Sequence, residues 1–315
     1  MLDKYNREIS YLRISLTDRC NLRCRYCMPA SGVCKLNHND ILSFEDLLEI
    51  IEVSTKLGVH KIRLTGGEPL VRKGVIDFCK QIKAIDGIDD LALTTNGILL
   101  NEMADDLKSA GVDRVNISLD TLSAARYDQI TRGGSFADAM GGISKALNAG
   151  FKKIKLNTVL LGGFNDDEIP AMVDLTKDYD IDVRFIELMH MPDTSMPEEA
   201  YIPNSVVLKK VKDLEYKGIE GVAQIYQKEG YKGRVGLISP VSCSFCKDCN
   251  RIRLTAEGFI KPCLHSKDEI SIKGLHGSAL EEKLKEAILA KPKEHQELDA
   301  YNISKSQRDM NKIGG

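Results

Sequence analysis

Three cysteines stand in CNLRCRYC, Cys20, Cys24 and Cys27, and three more, Cys246, Cys249 and Cys263, stand in CKDCNRIRLTAEGFIKPC. Clustered thiolates bind soft metals, either as zinc or as an iron-sulfur centre, and ligand type alone does not separate the two. A closed zinc site takes four ligands. Each set here offers three, although Cys243 or His265 could complete a zinc ribbon with the second. A four-iron cube held by three cysteines leaves one iron without a protein ligand, open to a small molecule that chelates through an amino and a carboxylate group. S-adenosylmethionine has both groups. An electron passed to its sulfonium breaks a carbon-sulfur bond and releases a 5′-deoxyadenosyl radical.

Composition bounds these options. A chain of 315 residues, 43% of them hydrophobic, holds one large domain or one large and one small domain with a substantial core. The formal net charge is -2, from 44 basic and 46 acidic residues, which argues against a footprint for nucleic acid or anionic lipid. The first ten residues, MLDKYNREIS, contain no apolar signal region, and no run approaches the roughly 18 apolar residues of a membrane span, so a cytoplasmic, non-membrane protein is expected. In that reducing compartment nine cysteines are not a disulfide framework, and six of them fall in the two sets. Cys34, Cys79 and Cys243 fit neither; Cys79, on an expected helix, reads as core, and Cys243 could mis-ligate the second centre under oxidation.

The elements that must position these sets alternate short β-rich runs with longer amphipathic stretches, as parallel α/β folds do. Six strands are predicted: YLRISLT (Tyr11 to Thr17), KIRLTG (Lys61 to Gly66), LALTT (Leu91 to Thr95), RVNISLD (Arg114 to Asp120), KIKLNTVL (Lys153 to Leu160) and DVRFIELM (Asp182 to Met189). The clearest helix is SFEDLLEIIEVSTKLG, with Ser43 and Asp46 as a capping box, Leu47, Leu48, Ile50 and Ile51 as its apolar stripe, and Gly58 as its stop. Six βα units predict an incomplete (βα)6 TIM-like barrel with right-handed crossovers. CNLRCRYC, GGEP (Gly66 to Pro69), TTNG (Thr94 to Gly97), Ser118 with Asp120, and Glu187 all follow strand ends, so they share the face where such folds build sites. Beyond residue 190 the pattern reads as loop, a short helix and GRVGLISPVS. A boundary is expected near Pro240, dividing residues 1–240 from a small C-terminal region, 241–315, that closes the open side of the barrel.

CxxxCxxC after the first strand, with Tyr26 before its last cysteine and GGEP after the second strand, resembles the radical S-adenosylmethionine superfamily. The order FCKDCNRIRLT, the closing PCL, the preceding ISPVS and the terminal Gly314-Gly315 look like the GTP 3′,8-cyclases of molybdenum cofactor biosynthesis, a likeness running from Tyr11 to the C-terminus. It implies two 4Fe-4S clusters, one binding S-adenosylmethionine and the other the guanine base of GTP, and conversion of GTP to 3′,8-cyclo-7,8-dihydro-GTP. It also implies an electron donor such as flavodoxin or ferredoxin, a cyclic pyranopterin monophosphate synthase acting next, and a homodimer as one expected assembly. By position, Tyr26, Gly67, Ser118 and Met189 match cofactor contacts, and Arg13, Arg63, Thr94 and Lys155 match substrate contacts. Arg251 and Arg253 alternate along an extended segment, so both guanidinium groups can face a triphosphate. Gly314 and Gly315 match a tail that inserts toward the reacting atoms. Arg184 and Glu187 are expected to line the cavity.

The chain departs from that pattern twice. Val222 stands where the family has proline in a Gly-Pro-Ala segment, and Lys261 stands where arginine is common, which keeps the charge and loses the fork. Two other readings use the same motifs: a radical enzyme with an auxiliary cluster that modifies peptides, which has little use for Arg251, Arg253 and the Gly-Gly end, and an electron carrier or zinc-stabilised binding module, which needs complete ligand sets.

Overall fold

The structure is a computed structural model that describes residues 1–33, 35–191, 196–243, 245–295, 298 and 304–313. Cys34, Gly314 and Gly315 lie outside the described residues. The six expected strands form as β1 (Tyr11–Ser15), β2 (Lys61–Thr65), β3 (Asp90–Thr95), β4 (Arg114–Ser118), β5 (Lys153–Leu160) and β6 (Ile181–Glu187). They lie side by side, each parallel to the next, as βαβ crossovers require. Their helices are α1 (Phe44–Lys56), α2 (Val75–Lys83), α3 (Leu100–Ser109), α4 (Ala124–Thr131), α5 (Phe136–Asn148) and α6 (Ile169–Asp178). The Ser43–Asp46 capping box closes in both directions at 3.0 Å, and Gly58 takes φ +93° just past the end of α1, a left-handed turn that favours glycine. Leu47, Ile50 and Ile51 are buried in the core, whereas Leu48 is half-buried against it.

Six further strands extend this sheet at both edges. After α7 (Ser205–Lys210), β7 (Leu214–Glu220) and β8 (Ala223–Lys228) form an antiparallel hairpin, and β9 (Arg234–Ile238) runs parallel to β6. On the other edge β10 (Arg251–Leu254) runs parallel to β1, followed by antiparallel β11 (Phe259–Lys261) and β12 (Ile270–Ser271). Helices α8 (Gly277–Leu289) and α9 (Met310–Ile313) complete the described elements. The single sheet runs β12-β11-β10-β1-β2-β3-β4-β5-β6-β9-β8-β7. The loop-and-helix reading of residues 190–240 therefore missed three strands. Val222 is the second residue of the two-residue turn that joins β7 to β8, and Gly221 before it takes φ +65°.

Alternation along the strands explains why the barrel is hollow. Leu12 and Ile14, Ile62 and Leu64, and Ile252 and Leu254 are essentially fully buried on the helix-facing side, each worth about 1.5–3 kcal/mol. The residues between them, Tyr11 and Arg13, Lys61 and Arg63, and Arg251 and Arg253, point inward instead. A barrel interior is ordinarily packed with branched apolar side chains. Here the inward row is cationic and surrounds a cavity of about 350 Å³. Among the described residues no helix is long and apolar enough to cross a membrane.

Candidate active site

The first cysteine set sits on the loop after β1, and that loop is fixed on three sides. Arg23 and Arg25 donate their amides to the carbonyls of Thr131 and Ile130 at the end of α4 (3.0 and 2.9 Å), and Arg132 returns Nη1 to the carbonyls of Arg23 and Met28. Tyr26 donates its hydroxyl to Asp120 Oδ2 at 2.8 Å, just beyond β4. Asn96 Nδ2 reaches Cys20 Sγ at 3.9 Å. Buried Glu68 of GGEP accepts from Thr95 Oγ1 and the Asn96 amide, so the ends of β1, β2 and β3 are one constellation, as expected from sequence. A Cβ on Gly67 would lie 2.3 Å from the Arg19 carbonyl oxygen, so this glycine lets GGEP dock on the thiol loop.

On this one loop Cys24 feels the charges of Cys27 and Cys20, and Cys27 that of Cys20. Burial pushes Cys20 up to about 11 and Cys27 up to about 12, with Cys24 also well above the ordinary thiol value. A bound cation would reverse this, since a coordinating thiol is deprotonated by the metal's own charge.

The second set differs in its surroundings. Cys246, Cys249 and Cys263 all line the cavity. Burial raises the Cys249 thiol, but Arg251 and Lys291 outweigh that and bring it down to about 6, a thiolate at neutral pH. Arg251 Nη2 stands 4.0 Å from Cys249 Sγ. His265, the possible fourth zinc ligand, is buried against Ser304 Oγ (3.1 Å) and the His295 ring. Cys243 is exposed and does not line the cavity. Among the described residues no group of three or more His, Cys, Asp or Glu side chains is drawn together tightly enough to grip a single metal ion.

Between the two sets lies the cationic wall. Arg13 faces Arg63 on one neighbouring strand and Arg253 on the other. Burial and the charges of Arg253 and Arg63 lower the Arg13 pKa, and Arg253 is brought to about 10 by burial and by Arg251. Lys155, Arg184 and Met189 also line the cavity; Thr94 stands one hydrogen bond behind it, accepting from Arg63 Nη1 at 3.3 Å. Tyr26, Gly67 and Ser118 lie outside this lining. Sequence reasoning missed Lys61, Arg114, Asn116, Asn157, Glu220 and Lys291, which the cavity adds. Lys61 was legible, because Lys61 and Arg63 alternate in KIRLT as Arg251 and Arg253 do in RIRL. Glu220 is the sole carboxylate of the lining among the described residues, bonded to Lys155, Arg184 and Arg234.

Glu187 corrects one expectation. Rather than lining the cavity it is wholly buried, accepting from the amides of Asn204, Val241 and Ser242 and from Ser242 Oγ. It fastens the segment that leads into the second cysteine set. The described end of the chain enters the same region: Asn311 donates Nδ2 to the Asp18 carbonyl, its amide reaches Cys27, and Arg253 Nη1 donates to the Ile313 carbonyl at 3.1 Å.

The residues present fit two iron-sulfur centres and an organic anion. Cys246, Cys249 and Cys263 share the cavity with Arg13, Arg63, Arg251 and Arg253, and the buried Oδ1 atoms of Asn116 and Asn157, on cavity-lining residues, have no hydrogen-bond partner among the described residues, acceptors left for the N–H and O–H groups of a guest.

Comparison with known proteins agrees. Residues 14–176 match the model of the Radical SAM superfamily, and residues 181–297 that of Molybdenum Cofactor Synthesis C. Streptococcus suis SuiB is similar in fold, with a TM-score of 0.65 at 16% identity over 92% of this chain and 68% of that one. anSMEcpe with bound AdoMet gives 0.58 at 12% identity, covering 91% of this chain and 79% of that one. Fold and thiol loop thus define a radical S-adenosylmethionine protein. The GTP 3′,8-cyclase of Alkaliphilus oremlandii is 48% identical over the full length of both chains, and that of Peptoclostridium acidaminophilum is 49% identical over all of this chain and 98% of its own. The chain belongs to the GTP 3′,8-cyclase family.

Proposed function

We propose that this protein converts GTP to 3′,8-cyclo-7,8-dihydro-GTP, the first step of molybdenum cofactor biosynthesis, with residues 1–240 holding the radical centre and 241–315 the auxiliary centre. The observation that carries the reading is the cationic cavity whose wall meets the Cys246, Cys249 and Cys263 thiols. In this proposal Cys20, Cys24 and Cys27 hold one 4Fe-4S cluster and Cys246, Cys249 and Cys263 the other. S-adenosylmethionine bound at the first cluster supplies a 5′-deoxyadenosyl radical.

The rest is positioning. Arg13, Arg63, Arg251 and Arg253, set on three adjacent strands, hold the triphosphate by charge-assisted hydrogen bonds from rigid supports. Lys155 adds an ammonium that binding of the anion favours. Tyr26, Gly67, Ser118 and Met189 are assigned to the cofactor, with Tyr26 held by Asp120. Thr94 orients Arg63. Gly314 and Gly315 follow directly on Ile313, whose carbonyl Arg253 holds, which supports their assignment beside the substrate. Holding the reacting atoms together before a radical exists is the main catalytic task. A cytoplasmic location, a following pyranopterin-forming enzyme and a homodimer belong to the same proposal.

Calorimetric titration of the anaerobically reconstituted protein with GTP tests the assignment. Micromolar binding, weakened at least tenfold by Arg251→Ala or Arg253→Ala, supports it; equal binding by wild type and both variants contradicts it.

A further inference from the structure

The loop that carries the first cysteine set also carries Arg19, Arg23 and Arg25, one just before Cys20 and one in each of the two gaps between the cysteines. Arg19 and Arg23 are exposed and Arg25 is half-buried. None of the three guanidinium groups has an ion-pair or hydrogen-bond partner among the described residues. Exposed cations elsewhere in the chain are of both kinds, Lys80 and Lys210 sitting within 3.0 Å of a carboxylate and Lys4 and Lys73 without one among the described residues; what sets these three arginines apart is their clustering on one loop beside the thiols. Arg132, held against the same loop, adds a fourth positive charge, while α4 contributes exposed Asp128. A net positive collar thus surrounds the loop of the first cysteine set in a protein whose overall charge is -2.

The collar is also rigid. Arg23 and Arg25 are pinned through their own amides to α4, so backbone hydrogen bonds fix the loop while the side chains stay free for another molecule. The anion-binding cavity uses a separate set of arginines, so substrate does not explain these.

We propose that the arginine collar around Cys20, Cys24 and Cys27 is the docking surface for an acidic one-electron carrier protein. The inference rests on the radical S-adenosylmethionine reading, which gives this centre its need for an external electron. Unpaired surface charge acts mainly on encounter, raising association rates by 10–10³ and losing that advantage as salt screens it. The collar places that attraction at the edge of the redox centre, where the carrier transfers one electron inward and is itself oxidised by one.

Stopped-flow reduction of the holoenzyme by flavodoxin hydroquinone tests the proposal. The expected rate constant falls with ionic strength, and Arg19→Gln/Arg23→Gln/Arg25→Gln lowers it roughly tenfold at low salt and flattens the salt dependence. Iron content and dithionite-driven cleavage of S-adenosylmethionine stay at wild-type levels, which separates failed docking from failure of the radical reading itself. Arg19→Gln and Arg23→Gln singly, at two exposed positions, give the same result at smaller amplitude if the triple variant loses iron. Lys247→Gln/Lys293→Gln, exposed cations beside the second cysteine set, serves as the control. A salt-independent rate, unchanged rates in the collar variants, or a loss confined to the Lys247 and Lys293 variant would overturn the proposal.

Discussion

Lys155 Nζ stands 2.7 Å from Glu220 Oε1, tying β5 to the last residue of β7 inside the cavity. Burial, with Arg184 nearby, outweighs that carboxylate and brings Lys155 down to about 8. The folded chain therefore holds fewer protons than the unfolded chain between about pH 8 and 10.5, and this lysine's contribution to stability rises with pH across that window. On the proposed assignment of Lys155 to GTP, affinity should fall as pH rises through about 8 and the ammonium is lost. Titrations at several pH values should show Lys155→Gln binding about tenfold more weakly at pH 7 without that inflection, and Glu220→Gln moving the inflection to lower pH.

Tyr26→Phe removes the bond to Asp120 and leaves Asp120 Oδ2 buried without its donor. We expect a loss of about 1–3 kcal/mol in chemical denaturation and faster release of iron from the first centre to a chelator. Unchanged stability would show that the tyrosine hydroxyl does not hold the loop.

Glu187→Ala strips four donors of one acceptor in the segment entering the second cysteine set. The expected iron content falls from about eight to about four per chain, with the first centre's spectrum retained. Loss of both centres together would contradict a local role.

Gly67→Ala places a methyl group into the backbone of Asp18 and Arg19. Because those contacts are main chain, the loop must move, and the variant should reconstitute the second centre but not the first. Normal iron at both would refute the close approach.

Cys79 is buried at the core, with its thiol pushed up to about 12. Cys79→Ala should leave the iron count unchanged, as its sequence context on a helix already indicated.

The strands and thiol sets were legible because each is local. Period-two alternation marks β1 to β6, and spacing marks CNLRCRYC, so YLRIS and KIKLNTVL fall where they were predicted. The hairpin of β7 and β8 was not, because its edge strand LEYKGIE is largely exposed and lacks a clean apolar alternation. Lys291 and Glu220 reach the cavity from distant segments, a convergence set by tertiary packing that no local spacing encodes. Glu187 ends a strand as a site residue would, yet its neighbours turn it into a latch.

The most direct test of the account is anaerobic turnover of the reconstituted protein with dithionite, S-adenosylmethionine and GTP, resolved by mass spectrometry, with Arg251→Ala alongside. The account predicts that 5′-deoxyadenosine and 3′,8-cyclo-7,8-dihydro-GTP form together in the wild type and that the variant fails to cyclise GTP. Formation of 5′-deoxyadenosine with GTP left intact would contradict it and point to another substrate for the same radical centre.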